Sequence, residues 1–128
     1  MAILAPSARL IFELSLRTIK EAAAVDDLLG TGWRTNDDYT EHVGKIYRKF
    51  NEGAFKQYLS EHHIISDSFK ECTGIMSNID MEAMAGRAVQ MAHTGRYGFT
   101  SDQIKETFHN AVLFAYLCEH YIAYRESK

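Results

Sequence analysis

The sequence predicts an all-α protein: a single compact helical bundle of about five helices, with the C-terminal helix at its centre. Three observations predict it. Apolar residues recur at three- and four-residue spacings in segment after segment, which keeps them on one face of a helix with 3.6 residues per turn. One proline, Pro6, stands in 128 residues, so little interrupts helix. The stretch from Thr100 to Tyr124 is apolar on nearly every side of its middle turns, and such a helix must be covered by other helices or by another molecule.

The length suits one domain over 1–128 with one core. With 46% apolar and 24% charged residues and no glycine-serine tract, no linker or low-complexity segment divides it. No fixed period repeats, which sets solenoids aside.

The first helix is expected from about Ser7 to Leu29, opened by Pro6 or Ser7 and stopped by Gly30 as an αL residue. Its core stripe is Ile11, Leu14, Ala22, Val25 and Leu29, with Phe12, Leu16, Ile19 and Ala23 beside it. Glu13 and Arg17 are an i,i+4 pair on the polar side, which serves solubility. Gly30-Thr31-Gly32 then opens a loop. It reads as a connection and not a phosphate loop, because no strand precedes it and no Gly-Lys-Ser/Thr follows. Trp33, the one tryptophan, is read as a roof on the core in preference to a platform for a partner.

Asn36 is expected to cap a second helix, with Asp37, Asp38 and Glu41 complementing its dipole and Tyr39, Val43, Ile46, Tyr47 and Phe50 facing inward. Asn51-Glu52-Gly53 bends the chain before the segment Ala54 to His63. A third helix is expected from near Ser66 or Asp67, carrying Phe69, Cys72, Ile75, Met76 and Ile79. After a break at Ser77-Asn78 a further helix follows, its stripe Met81, Met84, Ala85, Ala88, Met91 and Ala92. Ala83, Ala85, Gly86 and Ala88 would let a neighbour approach closely there, and Gly95 to Gly98 ends it.

The last helix announces its start twice. Thr100 and Gln103 form a capping box, and Phe99 can staple onto Ile104. The stripe Ile104, Phe108, Ala111, Val112, Ala115, Cys118 and Ile122 is expected to be core. Leu113, Phe114, Tyr116, Leu117, Tyr121 and Tyr124 lie round the remaining circumference. From that surplus Leu113, Tyr116, Leu117, Tyr121 and Tyr124 are expected to form a partner interface, with other subunits or with further copies of the chain.

Other function classes lose ground on the same residues. Glu119 and His120 interrupt the last helix too early for a membrane span, and the N-terminal segment has no basic leader and is broken by Glu13, Arg17 and Lys20, so it does not read as a signal peptide. Two cysteines, Cys72 and Cys118, make no disulfide framework, and the expected location is cytoplasmic. No nucleophile elbow or mechanistic Cys/His spacing is present, so no catalytic residue is expected. Glu106 and His109 give one Glu-x-x-His pair where a di-iron bundle needs two, and Glu61, His62 and His63 point apart on a helix. No metal and no cofactor is expected.

The net charge of −3 argues against a surface given wholly to phosphate. Locally, Lys45, Arg48 and Lys49, with Lys56 one segment later, form the densest basic feature in the chain, interrupted by Glu52. Such a cluster is either a solvated helix face or a strip that tracks a nucleic-acid backbone.

ARLIFELSLRTIKE from Ala8, then Tyr39 with KIYRKFNEGAFKQYL from Lys45, then IKETFHNAVLFAYL from Ile104, together resemble the small all-helical subunit of type III CRISPR effector complexes, the Cmr and Csm small subunits. The likeness touches about half of the chain. Tyr47 stands where that family often has proline, and Glu52 splits the Asn51/Gly53 pair. The resemblance implies a subunit stacked in copies along a complex, catalysing nothing and touching single-stranded RNA or the guide-target duplex. Lys45, Arg48, Lys49 and Lys56, then Arg9 and Arg96, would be the phosphate contacts, positioning the strand without reading its sequence.

Two functions are therefore expected. The first is a non-catalytic scaffold subunit of a CRISPR-type ribonucleoprotein, packing in copies and contacting the target strand. The alternative is a helical interaction module without nucleic acid, such as an inhibitor, adaptor or assembly chaperone. The acidic balance favours the alternative, and the basic cluster favours the first.

Overall fold

The computed structural model describes residues 4–62, 78–94 and 98–127, and all the regular structure among them is helical. Six helices occur there: α1 (Leu4–Glu21), α2 (Asp26–Leu29), α3 (Tyr39–Phe50), α4 (Gly53–Glu61), α5 (Asn78–Thr94) and α6 (Ser101–Glu126). The helix expected over Ser66 to Ile79 lies mostly outside the described residues.

The expected first helix ends early. Ala23 takes φ +55, Ala24 N–H donates to the Ile19 carbonyl at 3.2 Å, and Ala23 N–H donates to that of Lys20 at 2.9 Å. This is a Schellman closure, with Ala23 in the left-handed position that usually belongs to glycine. Burial of Ile19 and Ala24 on the two sides of the turn compensates for the strain of a Cβ there. The chain resumes as the single turn of α2 and leaves it at Gly30, whose φ of +83 suits glycine, although its ψ of 163 is not that of an αL cap.

Trp33 is 7% exposed and does roof the core. Its Nε1 donates to Asp26 Oδ1 at 3.3 Å, Lys20 Nζ sits 5.7 Å from its ring centre, and its edge meets His42 at 5.0 Å. Asn36 does not cap α3. Asp38 occupies that position with φ +44 and no side-chain cap bond, and the two turns of chain before it carry Trp33 into place. The inward face of α3 is as expected, with Val43, Ile46, Tyr47 and Phe50 all buried.

The start of α6 is also as expected. Thr100 Oγ1 accepts from Gln103 N–H at 3.1 Å, Gln103 Oε1 accepts from Thr100 N–H at 2.9 Å, and Phe99 packs with Ile104 beside Met91. From there α6 runs through the middle of the bundle and touches α1, α3, α4 and α5, most extensively α1. Phe114 meets Phe12 at 5.5 Å and Phe50 at 5.9 Å between ring centres. About two turns on, Tyr121 meets Phe50 and Phe55, and about three turns on Tyr124 meets Phe55 and Tyr58. This aromatic column is the centre of the fold, and each fully buried member contributes about 2 to 3 kcal/mol by removal from water.

Helices α1 and α6 run in the same direction. Phe12 stands beside Phe114 near their middles, and past the end of α1 Asp27 accepts from Arg125 at 3.4 Å. On the other side α5 packs against α3 and α1, burying Met81, Met84, Ala85, Ala88 and Met91 as expected, while Ala92, expected in the same stripe, and Ala83 are exposed.

A candidate docking groove between the first and last helices

The rotation of α6 about its own axis differs from expectation. Leu113, Leu117, Tyr121 and Tyr124, expected as a partner interface, are buried in the chain's own core at 6, 1, 4 and 9% exposure. Of that set Tyr116 alone is exposed. The correction has a simple cause. Both stripes of α6 are apolar, but this one carries Phe114, Tyr121 and Tyr124, whose rings bury more area than the smaller side chains of the other and stack with Phe12, Phe50 and Phe55.

The stripe expected as core is split as a result. Ile104, Ala111 and Cys118 remain inside, Phe108, Ala115 and Ile122 are half-buried, and Val112 is 45% exposed. A similar turn of α1 leaves Leu14 at 47% and Leu10 at 54%. Leu10, Leu14, Val112 and Tyr116 are the exposed large hydrophobics among the described residues, and all four lie on the parallel pair α1 and α6.

Between these helices is an open groove of about 230 Å³. Ile11 and Leu14 form one wall, Ala115 the other, and Cys118 lies at its side. Its two hydroxyls are turned back on their own helix: Ser15 Oγ donates to the Ile11 carbonyl at 2.7 Å and Thr18 Oγ1 to the Leu14 carbonyl at 2.8 Å. What the groove presents is hydrocarbon, with the Glu119 carboxylate as its one charge. Burial pushes the Cys118 thiol well up, with Glu119 adding to the effect, so it stays protonated and acts as a small apolar group. Just outside, the Tyr116 ring meets His120 edge-on at 4.5 Å.

The expected phosphate contacts do not gather into an uncompensated strip. Lys45 Nζ is 3.0 Å from Glu41, and Lys49 Nζ is 3.1 Å from Glu52, a hydrogen bond that raises the Lys49 pKa. Arg48 and Lys56 are exposed and in no ion pair among the described residues. Arg9 is partly covered, 4.0 Å from Glu13 and 5.9 Å from the centre of the Tyr39 ring. Arg96 lies outside the described residues. Glu106 pairs with Arg87 on α5 at 2.9 Å, and no group of three or more metal-ligating side chains occurs among the described residues. No described helix is long and apolar enough to cross a membrane.

The groove residues were visible in the sequence as apolar positions, but their outward direction was not. Leu10, outside the expected stripe, was the signal: with Leu14 it makes an i,i+4 apolar pair on the side away from Phe12 and Leu16. No protein-family model matches this chain, and no curated protein or solved structure matches it.

Proposed function

We propose that this protein is a non-catalytic helical subunit that associates with protein through the apolar face of α1 and α6. One observation carries the reading: the exposed large hydrophobics Leu10, Leu14, Val112 and Tyr116 are confined to those two helices, and Leu14 lines the open groove between them. Scattered exposed leucines need no explanation, whereas a concentrated apolar face marks an association surface. The pairing of Lys45 with Glu41 and of Lys49 with Glu52 favours this over a strand-binding role, because cations already matched by carboxylates release fewer counterions from a phosphate backbone.

The resemblance to the small subunits of type III effector complexes supports a second reading, in which copies of the chain also line a nucleic-acid strand. Arg48 and Lys56, exposed and outside ion pairs, are the cations that would carry it.

Co-purification from the native cell separates the two. The tagged wild-type chain should retain a defined set of proteins that L14E loses and R48E/K56E keeps, and single-stranded RNA should show no salt-dependent gel shift. Retention of the same proteins by L14E would overturn the first reading. RNA binding that falls steeply with salt and is lost in R48E/K56E would establish the second.

A further inference from the structure

Along the exposed side of α6, Lys105, Val112 and Glu119 follow one another at intervals of seven residues. Seven residues fall about 20° short of two full turns, so the three side chains form one nearly straight stripe. The stripe is basic at its N-terminal end, apolar at its middle and acidic at its C-terminal end, and neither Lys105 nor Glu119 is in an ion pair among the described residues.

We infer that α6 packs antiparallel against α6 of a second copy of this chain, about a two-fold axis at Val112, with Lys105 of each copy on Glu119 of the other. This inference rests on the reading of the α1–α6 face as an association surface and names its occupant. The register follows from arithmetic on the helix. An antiparallel pair centred on Val112 sets residue 105 opposite 119 and residue 108 opposite 116, so the charges meet with opposite sign at both ends and Phe108 meets Tyr116. A parallel pair in register would instead oppose Lys105 to Lys105 and Glu119 to Glu119.

The groove fits the same arrangement. Glu119 lines it, so a lysine reaching Glu119 from the second copy lays its hydrocarbon stem against Leu14 and Ala115 and leaves its ammonium at the rim. The two charge pairs are about 21 Å apart along the helix, a separation that long side chains can bridge when helices cross at about 20° but not at about 50°. The seven-residue spacing is the one that favours the shallow crossing. The contact is isologous and closes on itself, giving a dimer and not an open stack.

Sedimentation velocity on the full chain, from micromolar to near-millimolar protein, is the test. The wild type should pass from monomer to dimer, and V112E should remain monomeric with an unchanged far-UV circular dichroism spectrum. K105E and E119K should each weaken the dimer about tenfold, because each places like charges at both ends, and K105E/E119K should restore it. In a C72S background, V112C should form a disulfide-linked dimer without reductant and K56C should not. A wild type that stays monomeric, a dimer indifferent to V112E, or charge reversals that fail to compensate would each overturn the two-fold arrangement. If that happens while L14E still releases proteins from the wild-type assembly, the groove takes a different partner. If L14E also changes nothing, the association surface itself is lost.

Discussion

Glu82 on α5 lies across Gly44 on α3, its Oε2 3.0 Å and its Cβ 3.2 Å from where a β-carbon on Gly44 would stand. A carboxylate oxygen can swing away, but the Cβ of Glu82 moves only with its backbone. The missing side chain at position 44 therefore sets how closely α3 and α5 approach. Gly86, on α5 itself, is a different case: a β-carbon there would meet Thr40 Cγ2 at an ordinary 3.9 Å.

The two glycines should respond to alanine with opposite signs. Each gains up to about 1 kcal/mol of helix propensity. At Gly44 the overlap with Glu82 outweighs that gain, and G44A should lose about 1 kcal/mol net. G86A should gain about 0.5 to 1 kcal/mol. Urea unfolding of both variants checks this, and G44A matching or exceeding G86A in stability would refute the packing argument.

Two tyrosines five residues apart on α6 should differ in cost. Tyr121 is 4% exposed between Phe50 and Phe55, so Y121A should destabilise by about 3 kcal/mol through lost burial and an unfilled cavity. Tyr116 is 39% exposed, and at a concentration where the chain is monomeric Y116A should change stability by less than about 0.5 kcal/mol. Equal losses in chemical denaturation would mean that α6 is rotated from the orientation described.

Acid should weaken the fold through His42. The ring is 8% exposed, its Nδ1 has no hydrogen-bond partner, and burial lowers its pKa from the ordinary 6.5, with Lys45 adding to the effect and Asp38, Glu41 and Asp37 opposing it. The unfolded chain therefore takes up the proton first as pH falls. The stabilisation is fully present above about pH 6.5 and is lost as pH drops through the unfolded value toward the folded one. His120, also lowered by burial, acts in the same direction. The urea midpoint should fall between about pH 7.5 and about pH 5, and H42Q should flatten part of that slope. A midpoint that rises on acidification would refute the assignment.

The sequence by itself determined the fold class, the inward face of α3, the stripe of α5 from Met81 to Met91 and the start of α6. Those features follow from local rules: a 3.6-residue period, a Thr-x-x-Gln box and an apolar residue on each side of it. Tertiary structure decided what local rules leave open. The stop after Glu21 has no glycine to announce it, because the strain at Ala23 is met by Ile19 and Ala24 packing across the turn. The close approach at Gly44 depends on Glu82, 38 residues away in the chain. Above all, α6 carries two apolar stripes where most helices carry one, and period alone cannot rank them. Rings from α1, α3 and α4 drew the aromatic stripe inward, because the larger buried area wins, and so left Leu10, Leu14, Val112 and Tyr116 facing water.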